Sequence, residues 1–383
     1  MRPTIFSSWA RGWGRVVAVL RKELIQLRRD RLTFAMLIGV PIMQLVLFGY
    51  AINGDPKHLP TAVVALDNGP LARSIVQAVK TSDYFELVES PTDSEAERLI
   101  AAGRVQFALV IPADFSRRLL RGEKPALAVY ADATDPAATG QAVAALQQLP
   151  QIALGHDLKG PLAALAAAAP PFEIRIHRRY NPEGLTSYNV VPGLMGVILT
   201  MTLVMMTSMA MTRERERGTL ENLLATPVRP FEMMVGKILP YVIIGYTQVL
   251  IVFGAARGLF AVPMAGSFVL LSAMVLLFIV ATLAVGFTFS TIARSQMQSM
   301  QMTMFYFLPN MLLSGFMFPF RGMPGWAQAL GEVLPLTHFL RIVRAIMLKG
   351  SVFADLLPEA GAIVAFAVGA GTVAMLRYRQ TID

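Results

Sequence analysis

The sequence contains no cysteine, and only 15% of its 383 residues are charged. Without thiols, neither a disulfide nor a thiolate metal site can form. The four histidines are scattered and lack metal-ligand spacing, so we expect no metal site. The phosphate-binding pattern Gly-x4-Gly-Lys-Ser/Thr is also missing, because Ile238 follows the Gly236-Lys237 pair. These absences argue against a metalloenzyme and against an ATPase.

Charge is missing above all from long apolar stretches, and 55% of the chain is hydrophobic. A helix needs about 20 apolar residues to cross a bilayer, because no water is there to bind its backbone groups. Five uncharged stretches and a shorter sixth approach or exceed this length: 32–52, 188–212, 238–256, 258–293, 295–320 and 360–376. One such run fits a buried soluble helix, but six predict a bundle of six transmembrane helices.

The first stretch is expected to remain in the mature protein rather than act as a cleaved signal peptide. Glu23 and Asp30 precede it, and no small-residue cleavage pattern follows it. Within the tail 1–31, Val17, Leu20, Leu24 and Leu27 recur at helical spacing. This spacing favours an amphipathic helix on the lipid surface over a merely solvated basic tail.

The distribution of basic residues predicts the orientation. Eight Lys or Arg residues precede Leu32, and the loop 213–237 carries five more, which places both the tail and this loop on the cytoplasmic side. Both termini are then cytoplasmic, and the long insert 53–187 is extracytoplasmic. Three residues conflict with this scheme because they fall on the outer side: Arg341, Arg344 and Lys349. We therefore expect the segment 322–357 to be re-entrant or interfacial. The net charge of +9 is explained by anionic lipid, so no nucleic acid partner is expected.

The insert reads as a small α/β domain. Apolar runs predict strands at 61–66, 85–88, 107–111 and 126–130, with helices between them. Ser94 and Glu97 have capping-box spacing, and a further helix is expected from about Ala113. The alanine-rich stretch 137–169 predicts a long helical arm, divided by Pro150 and Pro161. The fold class is thus a membrane all-α bundle with an inserted extracytoplasmic α/β domain.

The loop after the second stretch has the features of a short capped helix. Thr219 suits the N-cap, Glu221 the first turn, and Leu220, Leu223 and Leu224 form an apolar edge that ends before Pro227. Composition alone leaves two interpretations open: a docking element for a partner protein, or an ordinary charged interfacial loop.

Several short motifs bear on this choice. They are the loop run Glu216 to Leu224 with Thr226-Pro227, Gly236-Lys237 and Pro240, then Tyr180-Asn181-Pro182-Glu183, Val191-Pro192-Gly193 and Leu334-Pro335-Leu336-Thr337. Together they resemble the type-2 export permeases of the ATP-binding cassette transporters, in the subgroup with a large insert after the first span. The resemblance covers essentially the whole chain.

The resemblance implies a permease of the bacterial inner membrane that exports apolar or amphipathic drug-like molecules. The residues that correspond to the contact with a separate nucleotide-binding ATPase subunit are Glu214, Glu216, Arg217, Gly218, Thr219, Glu221 and Leu224. ATP and magnesium would be bound by that subunit, and this chain would bind no cofactor. A second permease copy or a homologous permease would complete the path. The size of the insert also suits a periplasmic adaptor protein or a dimer contact.

The second and fifth stretches are rich in methionine, a flexible side chain that suits varied apolar partners. We expect the substrate pathway to be lined by Met201, Met205, Met209, Gln298, Gln301, Met302 and Met304, although packing or lipid contact also explains methionine at helical spacing. A secondary transporter would require inverted repeats and charged residues inside the spans. A membrane-anchored enzyme or receptor would require a catalytic or binding site in the insert. The sequence shows neither.

Overall fold

The computed structural model describes residues 56–90, 92–163, 170–216 and 230–380. The predicted tail 1–31, the first predicted span 32–52 and the loop segment 217–229 lie outside the described residues. Within these ranges the chain forms an α/β unit, residues 56–179, followed by a block of helices.

The α/β unit alternates strands and helices in chain order. The elements are β1 (Leu59–Ala65), α1 (Pro70–Thr81), β2 (Phe85–Glu89), α2 (Asp93–Ala101), β3 (Phe107–Ile111), α3 (Phe115–Leu120), β4 (Ala126–Asp132), α4 (Pro136–Ile152) and β5 (Glu173–Arg179). The sheet order is β2-β1-β3-β4-β5. β1 pairs in parallel with β2 and β3, β4 runs antiparallel to β3, and β5 is parallel to β4.

Apolar side chains cover the sheet on both faces, as parallel pairing requires. On one face Phe107, Leu109 and Leu127 pack with α1, α3 and α4. On the other, Ala62 and Ala108 pack with α2. The sheet therefore has its own core and does not rely on lipid.

Asp67 joins two loops at one edge of this sheet. Its carboxylate accepts hydrogen bonds from the backbone N–H groups of Gly69, at 2.7 Å, and Ser116, at 2.6 Å. Burial works to raise the pKa of Asp67, but the hydrogen bonds from Ser116 and Gly69 outweigh it and hold this pKa below its ordinary value. The loop after β1 is thereby tied to the start of α3.

Two local predictions for this unit need correction, and one strand was missed. The cap of α2 is Thr92, whose hydroxyl accepts from the Glu95 N–H, rather than Ser94. The segment 136–152, expected as part of an arm, is a helix packed against the sheet, with Val143, Leu146 and Leu149 buried. β5 was not predicted, because Glu173 and its four basic residues do not resemble an apolar strand.

The remaining helices form the second part of the chain. They are α5 (Thr186–Glu216), α6 (Pro230–Gly258), α7 (Phe268–Ile292), α8 (Gln296–Leu313), α9 (Gly325–Val333), α10 (Pro335–Arg344) and α11 (Phe353–Gln380), with a π-helical turn at Ala345–Lys349. Among the described residues, four helices are long and apolar enough to cross a membrane: Thr186–Glu214, Leu239–Gly258, Phe268–Ile292 and Phe353–Arg377. They overlap with four of the predicted spans. The fifth predicted span contains helix α8, whose three glutamines and Asn310 lower its hydropathy below that of the other four.

A tight turn connects β5 to α5. Tyr180 has a positive φ of 68°, and the following Asn181 is fully buried. The Asn181 amide accepts from the N–H of Leu185, at 2.9 Å, and donates to its C=O, at 3.0 Å. One side chain thus closes the turn from which α5 starts, which gives a physical reason for Asn in the Tyr180-Asn181-Pro182-Glu183 motif.

Of the two short helices, α10 packs into the block, whereas α9 lies at its surface with Trp326, Leu330 and Val333 exposed. Phe339 of α10 stacks on Phe278 in the middle of α7, with ring centroids 4.1 Å apart. Gly196 of α5 faces the side chains of Leu336 and Phe339 so closely that a Cβ at this glycine would lie 2.6 Å from Leu336. Glycine at this position lets α10 approach the backbone of α5.

Candidate coupling junction and transport helices

Helices α5 and α8, which were predicted to carry the substrate path, pack side by side. The hydroxyls of Ser208 on α5 and Ser299 on α8 form a hydrogen bond, and both residues are fully buried. A hydroxyl inside a membrane bundle finds a partner on a neighbouring helix because no water is available. This bond joins the two helices two turns before α5 ends.

The end of α5 is bound to the start of α8. One oxygen of Glu216, the last residue of α5, accepts from the backbone N–H of Gln296 at 2.9 Å, and the other accepts from its side-chain amide at 2.6 Å. The first N–H groups of a helix lack intrahelical partners and favour negative charge, so a carboxylate stabilises this position. The Arg213 side chain also donates to the side-chain oxygen Oε1 of Gln296, at 3.4 Å. We call Arg213, Glu216 and Gln296 the junction.

The junction contains one residue of the predicted ATPase contact. Glu216 is exposed, and Glu214, two residues earlier, is half-buried. The other residues of that contact, Arg217, Gly218, Thr219, Glu221 and Leu224, lie outside the described residues. Their contact with an ATPase subunit stays a prediction. Gln296 was not predicted; the residue that binds it is 80 positions away, so no local pattern indicates the pair.

The predicted pathway residues lie on the two packed helices. Met201, Met205 and Met209 are half-buried on α5, and Gln301, Met302 and Met304 are half-buried on α8. Gln298 is buried, and its side-chain oxygen accepts from the Arg294 N–H at 2.9 Å. Gln298 thus stabilises the start of its own helix. The lining of a substrate path by this group stays a prediction.

The basic residues that conflicted with the charge rule each have a hydrogen-bond partner, and two of them pair with carboxylates. Arg341 donates to Glu332, at 2.6 and 3.1 Å, and to Glu359, at 3.3 Å. Arg344 donates twice to the C=O of Gly315. The sequence showed these residues as an anomaly but gave no sign of their partners.

Lys349 is the third of these residues, and it connects the helical block to the α/β unit. Its ammonium group lies 2.6 Å from the carboxylate of Asp132 at the end of β4, and both side chains are only 9% exposed. It also donates to the C=O of Ile100, at 3.3 Å, and lies over the Tyr180 ring. Asp132 in turn accepts from the Thr134 hydroxyl and N–H. We call the Lys349–Asp132 pair the interdomain ion pair.

Buried His338 and half-buried Glu359 form a further pair beside Arg341. The His338 ring contacts the Glu359 carboxylate through Nδ1 and lies 2.8 Å from the Glu332 C=O through Nε2. Across the described ranges, no group of three or more His, Asp or Glu residues is arranged to hold a metal ion.

Four apolar helices that are long enough to cross a membrane define a multi-pass membrane protein. The family follows from comparison with known sequences. A model described as "ABC-2 family transporter protein" matches residues 31–376, and the chain belongs to this family of transporter permeases. A permease subunit of this family is not itself the ATPase.

Relatives in Escherichia coli strain K12 are similar over nearly their whole length. The protein named "Inner membrane transport permease YhhJ" is 30% identical, with 94% of this chain and 96% of that protein covered. "Probable multidrug ABC transporter permease YbhS" is 27% identical, with 97% and 98% covered. "Probable multidrug ABC transporter permease YbhR" is 29% identical, with 88% and 90% covered. The resemblance drawn from the motifs is thus confirmed at the level of the family.

Proposed function

We propose that the chain is the transmembrane subunit of an ATP-driven exporter. Two copies, or this chain and a homologous permease, would enclose the path, and a separate nucleotide-binding subunit would hydrolyse ATP with magnesium. Membership of the ABC-2 family and two relatives named as multidrug permeases support this proposal. The substrates would be apolar or amphipathic drug-like molecules, because uncharged spans suit an apolar path.

The observation that carries the mechanism is the junction. The loop 217–229 leaves α5 at Glu216, and Glu216 is bonded to the first residue of α8. A displacement of this loop by a bound ATPase subunit would therefore move α5 and α8 together. The Ser208–Ser299 bond would transmit the displacement further along the pair.

The length of α5 supports a placement of its two ends on opposite sides of the membrane. Its 31 residues extend about 45 Å at 1.5 Å per residue, which exceeds the ~30 Å hydrocarbon core. The junction lies at one end and the α/β unit at the other. We place the junction and both termini in the cytoplasm and the α/β unit outside, in a bacterial inner membrane.

The segment between α8 and α11 would then be re-entrant. α9 and α10 have 9 and 10 residues, about half of what a span needs. The stack of Phe339 on Phe278 nevertheless places α10 beside the middle of α7. A segment in which α10 reaches this depth but is too short to cross would enter and leave on the outer side.

A secondary transporter is the second candidate. The observation in its favour is the cluster of His338, Arg341 and Glu359, of which His338 is buried, since charges near membrane helices often serve proton coupling. ATP dependence separates the two candidates.

The test uses proteoliposomes that contain the chain with its co-purified nucleotide-binding subunit. Glu216→Gln removes the charge that holds Gln296, and a hydrogen bond to a charged group contributes about 1.5–3 kcal/mol. Transport-stimulated ATP hydrolysis should fall about tenfold or more, while membrane insertion is retained. Glu183→Gln, the same change at an exposed site near the opposite end of α5, should have no effect.

A double-mutant cycle links any loss to the junction. If Glu216 acts through Gln296, the double variant Glu216→Gln with Gln296→Ala should be no worse than the more severe single variant. Additive losses would show that Glu216 acts through another contact. Transport that proceeds without ATP and stops when the proton gradient is dissipated would contradict the ATP-driven exporter and support a secondary transporter.

A further inference from the structure

We propose that the α/β unit carries a binding groove for amphipathic anions. The groove has a volume of about 880 Å³ and lies between α4, β5 and the turn that leads to α5. This volume is within the range of ~300–1,000 Å³ that ligand pockets occupy. The proposal concerns the α/β unit alone and does not depend on the direction of transport.

Three basic residues of the edge strand β5 line the groove, and no Asp or Glu is among the lining residues. Because successive residues of a strand point to opposite faces, Arg178 lies on the face covered by α4, and His177 and Arg179 lie on the other face. Arg179 is engaged, because it pairs with Glu97 and lies 4.9 Å from the Tyr130 ring centre. Arg178 is exposed, and no carboxylate in the described part of the chain pairs with it. Its guanidinium is therefore available for an anion, which it can hold with two parallel hydrogen bonds.

Apolar and aromatic side chains complete the lining. Val143 of α4 and Ile176 of β5 contribute aliphatic surface on the same face of the sheet as Arg178. Tyr130 contributes a ring on the opposite face, where it contacts the His177 ring at 5.6 Å. A small inorganic anion at Arg178 would leave the aliphatic surface in water. A ligand with an apolar body and one anionic group would cover Val143 and Ile176 and place its anion at Arg178.

The position of the groove decides which molecules meet it. Tyr180 and Pro182 belong to the turn from which α5 starts, so the groove lies beside the membrane end of the α/β unit. A phosphate or carboxylate on an apolar body is found both in acidic lipid headgroups and in soluble amphipathic molecules. The same groove chemistry would bind either source.

The binding experiment uses the full chain in nanodiscs of phosphatidylcholine, titrated calorimetrically with 1-naphthyl phosphate. We expect saturable binding with one site per chain. Inorganic phosphate, which lacks the apolar body, and 1-naphthylmethylammonium, which reverses the charge, should each bind at least about tenfold more weakly.

Two pairs of variants locate the site. Arg178→Gln removes the unpaired cation, and Gln147→Glu places a negative charge on the lining of the groove; each should weaken binding about fivefold. The matched controls are Arg175→Gln on the same strand and Gln148→Glu on the same helix, both exposed and outside the groove. They should leave the affinity unchanged. All four sites are on exposed side chains, so the variants should fold.

Each possible result of these titrations either supports or contradicts the proposed site. The proposed binding site would be contradicted by any of three results: no saturable binding, equal affinity for the ammonium compound, or equal weakening of binding by the variants and their controls. Equal affinity for inorganic phosphate and 1-naphthyl phosphate would contradict a contribution of the apolar surface to binding. The lipid source is tested with nanodiscs that contain phosphatidylglycerol, whose headgroup would compete with 1-naphthyl phosphate and lower its affinity. If Arg178→Gln abolishes this decrease, the groove is supported and a lipid headgroup is its occupant. Unchanged affinity would support a soluble ligand.

Discussion

At the scale of single residues, glycine positions decide how closely the membrane helices pack. Gly286 of α7 faces α5, where an added Cβ would lie 2.9 Å from the Val204 carbonyl oxygen and 2.9 Å from the Thr207 Cβ. Backbone atoms cannot move aside as a flexible side chain can. Van der Waals contact is the main attraction between helices in lipid, so this close approach contributes directly to the stability of the bundle.

Gly286→Ala should therefore destabilise the protein by about 1–3 kcal/mol, because the extra methyl group separates α5 from α7. The measurement is the apparent thermal unfolding midpoint in detergent. Gly254→Ala is the matched control, since a Cβ there meets nothing within 4 Å. That variant should be neutral or stabilising by up to ~1 kcal/mol, because alanine favours helix. Equal midpoints for the two variants would contradict the packing described here.

At the scale of elements, the π-helical turn after α10 connects the helical block to the sheet. The turn ends at Lys349, whose ammonium group forms the interdomain ion pair with Asp132 at the end of β4. The pair is buried, and the partners are 217 residues apart. It holds the α/β unit to the membrane helices at a second place besides the turn at Asn181.

Lys349→Met should destabilise the protein by about 3 kcal/mol, because it leaves the Asp132 carboxylate buried without its counter-ion. The double variant Lys349→Met with Asp132→Asn should be more stable than Lys349→Met alone, since no buried charge then remains. Thermal unfolding in detergent measures both. Lys80→Met, an exposed lysine of α1, should have little effect. A double variant that is less stable than Lys349→Met would show that Asp132 does not depend on this ion pair.

At the scale of the whole molecule, the α/β unit and the junction lie at opposite ends of α5. The chain has no cysteine, so single cysteines report their side of the membrane without background. Gln148 is exposed on α4, and Arg294 is exposed between α7 and α8, next to the junction.

In spheroplasts, a membrane-impermeant maleimide should label Gln148→Cys in intact cells. The same reagent should label Arg294→Cys only after lysis, because a cytoplasmic site is shielded by the bilayer. The reverse pattern would invert the proposed orientation. Labelling of both variants in intact cells would place the two ends of α5 on the same side and exclude a spanning helix.

Four of the apolar spans and four of the five strands are readable from the sequence because each depends on local composition, and the family is readable from short motifs. A run without charge, such as 268–292, is compatible with lipid whatever its neighbours are. β5 was not predicted because its side chains are mostly charged and exposed, and only pairing with β4 makes it a strand. Thr92 and Ser94 are both suitable caps, and the backbone path selects Thr92.

By itself, then, the sequence determined which segments avoid water and which loop resembles a coupling element. Only the tertiary structure decided that Glu216 binds Gln296, that Lys349 binds Asp132, and that Arg178 shares a groove with Tyr130. The physical reason is that hydrophobicity and helix capping act over a few neighbouring residues. An ion pair or a groove exists only when packing brings together side chains that are far apart in the chain.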